Sequence, residues 1–264
     1  LVFTALPHGE SAALIDQLPG HVRIVDLGAD FRLSDPEQWH RYYGGPHAGH
    51  WTYGLPELPG QRPTIAASSR VANPGCYATA IQLGLAPLFD HDLVDSPDVV
   101  VVAASGTSGA GRSAKVHLLA SEVAGSMSTY KVGGTHQHTA EVEQSLSEIA
   151  GAPVTVNFTP MLAPMSRGIL ATMSVRTSAG LDELRGALES SYAKENFVTL
   201  LSPDQLPVTS STYGSNAVHV QVAKDDRTGR ATVITALDNL VKGAAGQAVQ
   251  NANLVLGVPE DRGL

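Results

Sequence analysis

The sequence predicts an α/β protein: a parallel strand–helix segment, then an α+β region on a mostly antiparallel sheet, then a closing helix. Three observations carry this. Leu1–Leu6 and Val22–Leu27 are short apolar runs separated by a helix-compatible stretch, Glu10–Leu18, which is the spacing of a parallel unit. Strand-forming runs dominate the second half: Val154–Phe158, Ile169–Thr177, Ala217–Ala223 and Ala231–Leu237. The last two flank the polar stretch 224–230, which suits the turn of an antiparallel hairpin. Val241–Leu256, rich in Ala and Gly, reads as the final helix.

Between these landmarks, Ser34–Arg62 is irregular and rich in Pro, Gly, Tyr, Trp and His, which predicts loop. Ile65–Ser69 reads as a short strand, Pro74-Gly75 as a turn and Cys76–Phe89 as a helix. Val99–Ala104 is β-branched and strand-like, and runs into the glycine-rich loop Ser105–Arg112. His138–Ile149 has amphipathic helical spacing, and Leu181–Glu195 places Leu181, Leu184 and Leu188 on one helix face. There is no internal repeat.

With 264 residues, 43% of them hydrophobic, the chain has enough apolar surface for a real core. Charged residues reach only 16%, and the net charge of -8 argues against nucleic acid or an anionic membrane as the main partner. The one cysteine excludes an internal disulfide and any multi-cysteine metal site, and suits a reducing cytoplasm. No apolar run approaches the ~20 residues of a membrane span. The opening Leu-Val-Phe-Thr-Ala-Leu has neither a basic leader nor Met and reads as a strand entered in mid-fold, so the chain is expected to be a fragment.

Cys76 is the natural chemical starting point. It follows Asn73-Pro74-Gly75 and heads a helix, where free N–H groups and the dipole would lower a thiol pKa and stabilise an oxyanion. The alternative is an inert buried thiol. His136 and His138, just before a helix, offer the base that a thiol nucleophile needs. No companion ligand is spaced to complete a metal cage, so they are not read as a metal pair; two surface loop histidines remain the other reading. His47 and His50 read as loop histidines. The Ser105–Arg112 loop is neither a Walker A loop nor a Gly-x-Gly-x-x-Gly turn, yet its bare backbone allows close approach of a ligand. Arg112 and Arg167 are either anion clamps or solvated arginines. Asn239 either caps the last helix or aims its amide at a cofactor.

The stretch Val71-Ala72-Asn73-Pro74-Gly75-Cys76-Tyr77-Ala78-Thr79-Ala80, continuing to Gly84-Leu85-Ala86-Pro87, resembles the active-site segment of N-acetyl-gamma-glutamyl-phosphate reductases. Further likeness runs through Leu6-Pro7-His8-Gly9, Val25–Leu33, Tyr53-Gly54-Leu55-Pro56-Glu57, Ser105–Arg112, Gly134–His138 and Asp238–Ala248. Several segments in the right order make the resemblance specific. It implies a partial Rossmann-type parallel sheet over 1–75, a catalytic and dimerisation α+β domain over 76–237, and a C-terminal helix over 238–264 that packs back on the cofactor domain. The family's opening strand and glycine-rich dinucleotide turn have no counterpart here, so poor binding of the cofactor by this polypeptide is expected.

The resemblance also implies site residues. Cys76 would be the nucleophile and His136 the acid/base, with His138 the second choice. Asn73, Arg112, Arg167 and His138 would hold the acyl phosphate and the substrate carboxylate. Pro7, Ser105, Gly106, Ser108, Gly109 and Asn239 would lie along NADP(H), with no metal. The implied reaction is reduction of N-acetyl-gamma-glutamyl phosphate to the 5-semialdehyde and phosphate through a thioester, in arginine biosynthesis, by a cytoplasmic homodimer or homotetramer. The rival enzymes are a related aspartate-semialdehyde dehydrogenase and a cofactor-independent Cys/His hydrolase; the rival without chemistry is an interaction fragment with a buried thiol.

Overall fold

The computed structural model describes residues 1–111 and 115–264. Its first part is a four-stranded, wholly parallel sheet of β1 (Val2–Thr4), β2 (Ile24–Asp26), β3 (Thr52–Tyr53) and β4 (Arg70–Ala72), in the order β1-β2-β4-β3. Helices α1 (Ser11–Ile15), α2 (Pro36–Tyr42) and α3 (Gln61–Ala67) lie in its connections. The strands are two or three residues long, so the expected runs Leu1–Leu6 and Val22–Leu27 pair only at their centres.

The structure departs from the sequence-based expectation in two segments. The stretch 34–62 is not loop throughout: Asp35 caps α2, accepting the Glu37 N–H at 2.8 Å, and Pro36 occupies the first helical position, where no donor is needed. The run Ile65–Ser69 is not a strand. Gly60, at φ 70°, turns the chain into α3, and Pro63 sits in the first turn of that helix. Ile65 is buried as its hydrophobicity demands, but by a helix face, and the strand comes later as β4.

Next comes α4 (Cys76–Asp90), whose residues are buried from Tyr77 to Phe89. It lies across a seven-stranded sheet of β5 (Val99–Ser105), β6 (Ser128–Thr129), β7 (Val156–Leu162), β8 (Ile169–Arg176), β9 (Val198–Leu200), β10 (Val218–Asp225) and β11 (Arg230–Leu237). The order is β6-β7-β5-β8-β11-β10-β9. Among the described residues only the β5–β7 and β9–β10 pairs of this sheet are parallel, and β10–β11 is the expected hairpin. Between β5 and β7 run the short α5 (Ala120–Val123) and α6 (His138–Ala150); α7 (Leu181–Tyr192) follows β8. Ile81, Leu83 and Leu85 of α4 join Val101, Met173, Val220 and Val233 of the sheet in one large core.

The expected final helix begins with a π-turn at Val241–Ala245 and continues as α8 (Gly246–Leu256). Such turns recur at functional sites. Ala248, Ala252 and Val255 of α8 pack on Val25, Ile65 and Val71, bringing the end of the chain back onto the parallel sheet. Lys242 in the π-turn is fully buried and pairs with Glu57 at 2.6 Å, with Gln250 closing the triangle at 2.7 Å from the Lys242 Nζ.

Candidate active site

β4 ends at Ala72, and the chain turns through Asn73-Pro74-Gly75 into α4, so Cys76 stands at the junction of the two sheets. The turn is held from several sides. Asn73 donates its side-chain N–H to the Ala244 carbonyl at 3.1 Å and accepts from Asn251 at 3.0 Å. Gly75 donates its N–H to Glu141 Oε1 at 2.7 Å. Glycine is required at 75 because a Cβ there would run into the His138 imidazole. From the other side, a Cβ on Gly243 of the π-turn would come within 2.8 Å of the Cys76 Cβ.

Cys76 is half-buried and opens on a cavity of about 630 Å³, lined by His8, Gly109, Ala110, Lys131, His136 and His138 among others. The histidine rings are 4.8 Å apart, centre to centre, and nearly perpendicular. The His138 N–H donates to Nδ1 of His136 at 3.1 Å, so a neutral His136 carries its proton on Nε2. Nδ1 of His138 is buried without a partner. Burial lowers both imidazoles: His136 to about 2, with the His138 and Lys131 charges adding to it, and His138 to about 3, helped by Arg32 and Lys131. Both are therefore neutral at pH 7. For Cys76 the sequence predicts a lowered thiol, and here the structure differs. Burial pushes it up to about 11, outweighing the Tyr77 amide and the Arg32 charge, which pull the other way. A thiol so placed needs a base, and neutral imidazoles lie in the same cavity.

Three residues that the sequence analysis did not single out organise this site. Glu141, buried on α6 and three residues after His138, accepts from the Tyr53 hydroxyl at 2.6 Å and pairs with Arg32 at 3.4 Å. It therefore ties the helix that His138 opens to the turn that leads into Cys76. The available signal was the helical spacing of Glu141 from His138, together with Arg32 and Tyr53 standing inside two of the quoted motifs.

The other expected residues divide. Asn239 is buried; it accepts the Gly168 N–H at 2.7 Å and donates to Ser108 Oγ at 3.0 Å. It does not cap the last helix: Asp238 accepts the Leu240 and Val241 N–H groups at 2.9 and 3.3 Å. Arg167 is engaged by Asp238 at 3.0 Å and lies over the Tyr213 ring, so its guanidinium is held away from the cavity's lining. Both side-chain ends of Asn73 are used within the protein, and Asn73 is likewise absent from that lining. Arg112 lies outside the described residues. Pro7 is exposed beside His8, which reaches the cavity. A larger cavity of about 730 Å³, walled by Phe31, Trp39, Tyr43 and Trp51, is not lined by Cys76, His136 or His138. Among the described residues, no helix is long and apolar enough to cross a membrane.

A bare-backbone cradle adjoins Cys76. Gly109 lines the cavity, and a Cβ on it would sit 2.6 Å from Ser105 Oγ and 3.5 Å from Asn239 Nδ2; a Cβ on Gly106 would meet the Arg167 backbone at 2.6 Å. Glycine at both positions is thus required by the chain's own packing, and Gly109 leaves bare backbone on the cavity wall that Cys76 shares.

Residues 76–239 match the family described as semialdehyde dehydrogenase, dimerisation domain. Aspartate semialdehyde dehydrogenase II from Vibrio cholerae superposes with a TM-score of 0.71 at 19% identity, covering 97% of this chain and 79% of that one. The Candida albicans aspartate semialdehyde dehydrogenase, solved with NADP, gives 0.63 at 14% identity over 97% and 77%. The fold is thus that of the semialdehyde dehydrogenases. N-acetyl-gamma-glutamyl-phosphate reductases are much closer in sequence. That of Acidothermus cellulolyticus is 63% identical over all of this chain and 78% of its own length. The Streptomyces coelicolor enzyme is 57% identical over the same shares, and the Mycobacterium avium enzyme 56% over all of this chain and 76% of its length. The chain belongs to the N-acetyl-gamma-glutamyl-phosphate reductase family.

Proposed function

We propose that this protein reduces N-acetyl-gamma-glutamyl phosphate to N-acetylglutamate 5-semialdehyde and phosphate, with NADP(H) as cofactor, in arginine biosynthesis, through a thioester on Cys76. The observation that supports the chemistry best is the shared cavity, in which the one thiol of the chain meets neutral imidazoles at a helix N-terminus.

His138, lying against Gly75, accepts the thiol proton. Sγ bonds to the γ-acyl carbon while the amides at the start of α4 stabilise the oxyanion. The C–O bond to phosphate then breaks, and phosphate departs with the electron pair. NADPH, when bound, would supply the hydride, hydrogen and electron pair together, that reduces the thioester carbon. In the resulting thiohemiacetal, the C–S bond breaks, Sγ regains its proton and the aldehyde forms. His136, with its proton on Nε2, donates a hydrogen bond to the oxygen that gains charge and keeps the proton, while Sγ takes back the proton held by His138. The residues that would hold the cofactor are the Pro7-His8-Gly9 loop, Ser105, Gly106, Ser108, Gly109 and Asn239. Asn73 and Arg167 act one layer out, fixing the turn and Asp238, in place of the direct substrate contacts first expected of them.

The exposed face of the seven-stranded sheet supports self-association. Val102 is 40% exposed there, and Leu170 and Ile234 are partly exposed on the same outward-facing positions. A homodimer or homotetramer built through that face is part of this reading. So is a cytoplasmic location, where a catalytic thiol stays reduced.

The test is oxidation of the semialdehyde, followed by NADPH absorbance. The expected result is turnover that requires both NADP and phosphate and that falls by at least about 1000-fold in Cys76→Ser. Acyl phosphate turnover without nicotinamide would instead favour a hydrolase.

A further inference from the structure

We infer that Lys131, with Lys115 beside it, seats the phosphoryl group of the substrate on the wall of the catalytic cavity. This assignment rests on the acyl-phosphate reading above. It starts from the charge of the lining. In a chain of net charge -8, the described residues lining this cavity include Lys115, Lys131, His8, His117, His136 and His138, and no Asp or Glu. An anion entering it meets no like charge.

Of the arginines expected to hold the anion, Arg167 is paired with Asp238, and Arg112 lies outside the described residues. Lys131, by contrast, is exposed, and its Nζ donates to Gln137, a neutral acceptor that lines the same cavity. Among the described residues no carboxylate lies within ion-pair distance of Lys131 or Lys115. The two ammonium groups feel each other, since the Lys115 charge adds to burial in lowering Lys131. A bound dianion would relieve that repulsion.

The backbone points the same way. Lys131 adopts φ 46°, in the left-handed region a side chain rarely enters, and Gly133 and Gly134 follow at 72° and 74°. This strained stretch carries Lys131 and His136 to one cavity, an arrangement of the kind found at ligand clamps. Lys131 also depresses both imidazoles. Pairing it with a phosphoryl group would therefore make His136 and His138 better bases at the moment the substrate arrives.

The experiment reads binding and needs no turnover. Alkylation of Cys76 by iodoacetamide at alkaline pH is followed by mass spectrometry against increasing inorganic phosphate. Phosphate is expected to protect the wild-type protein. Lys131→Gln should raise the half-protecting concentration about tenfold, the loss of one charge-assisted contact, while Lys131→Arg keeps most of the protection. Lys115→Gln should shift it in the same direction by less. Lys131 is exposed, so a melting temperature equal to that of the wild type should accompany the shift. Equal half-protecting concentrations in wild type and Lys131→Gln, or no protection of the wild type, would overturn the assignment. Protection by phosphate in a protein that fails the NADP assay would leave the subsite standing and count against the reductase reading alone.

Discussion

At the scale of single residues, the controlling fact is that Cys76 and the two histidines are all uncharged at neutral pH. With the thiol held up near 11, its alkylation in the free protein should still be accelerating at pH 9. A rate that levels off by pH 7 would instead mean a thiolate stabilised by the helix alone. The histidines also predict how stability depends on pH. Their folded pKa values, about 2 and about 3, lie far below the unfolded value near 6.5, so the unfolded chain binds more protons throughout that window. Stability should therefore fall as pH drops below about 6.5, by up to ~1.4 kcal/mol per pH unit for each histidine. Urea unfolding between pH 7 and 4.5 measures the slope, and His138→Asn should reduce it. Cys76 and its candidate partners were legible because their chemistry is local. The raised thiol was not, because burial belongs to the fold, whereas helix position can be read from Pro-Gly-Cys.

At the scale of elements, two buried ion pairs hold the site together. Glu141, paired with Arg32, also accepts the Gly75 N–H and so joins α6 to the turn before α4, and Lys242 joins the π-turn to Glu57. Removing one partner of a buried pair leaves an uncompensated charge, a loss of about 3–5 kcal/mol. Lys242→Met should thus cost several kcal/mol in urea unfolding. Adding Glu57→Gln should recover part of it, because the second change removes the orphaned charge. The sequence reveals elements where periodicity is long: α4, α6, α7 and the β10–β11 hairpin stand within a few residues of their predicted places. It misleads at Ile65, whose buried apolar run is too short to tell helix from strand, and it passes over β9, a three-residue strand made only by pairing with β10. Glu141 was hidden for a related reason: its partners are 66, 88 and 109 residues away in sequence.

At the scale of the whole molecule, the two sheets meet at Cys76, and α8 closes the chain back on the parallel one. The outward face of the seven-stranded sheet is the surface expected to pair with a second copy. Val102→Lys, on that face, should shift the protein toward the monomer in sedimentation velocity while its melting temperature changes little, since the side chain is 40% exposed. An unchanged sedimentation coefficient would place the interface elsewhere.

The thioester proposed on Cys76 is covalent, and intact-mass spectrometry reads it directly. The protein is mixed with N-acetyl-gamma-glutamyl phosphate, without nicotinamide, and quenched in acid within seconds. A mass increase equal to one N-acetylglutamyl group is expected, mapped to the peptide containing Cys76 and missing from Cys76→Ser. An unmodified wild-type protein, or the same adduct on Cys76→Ser, would contradict it.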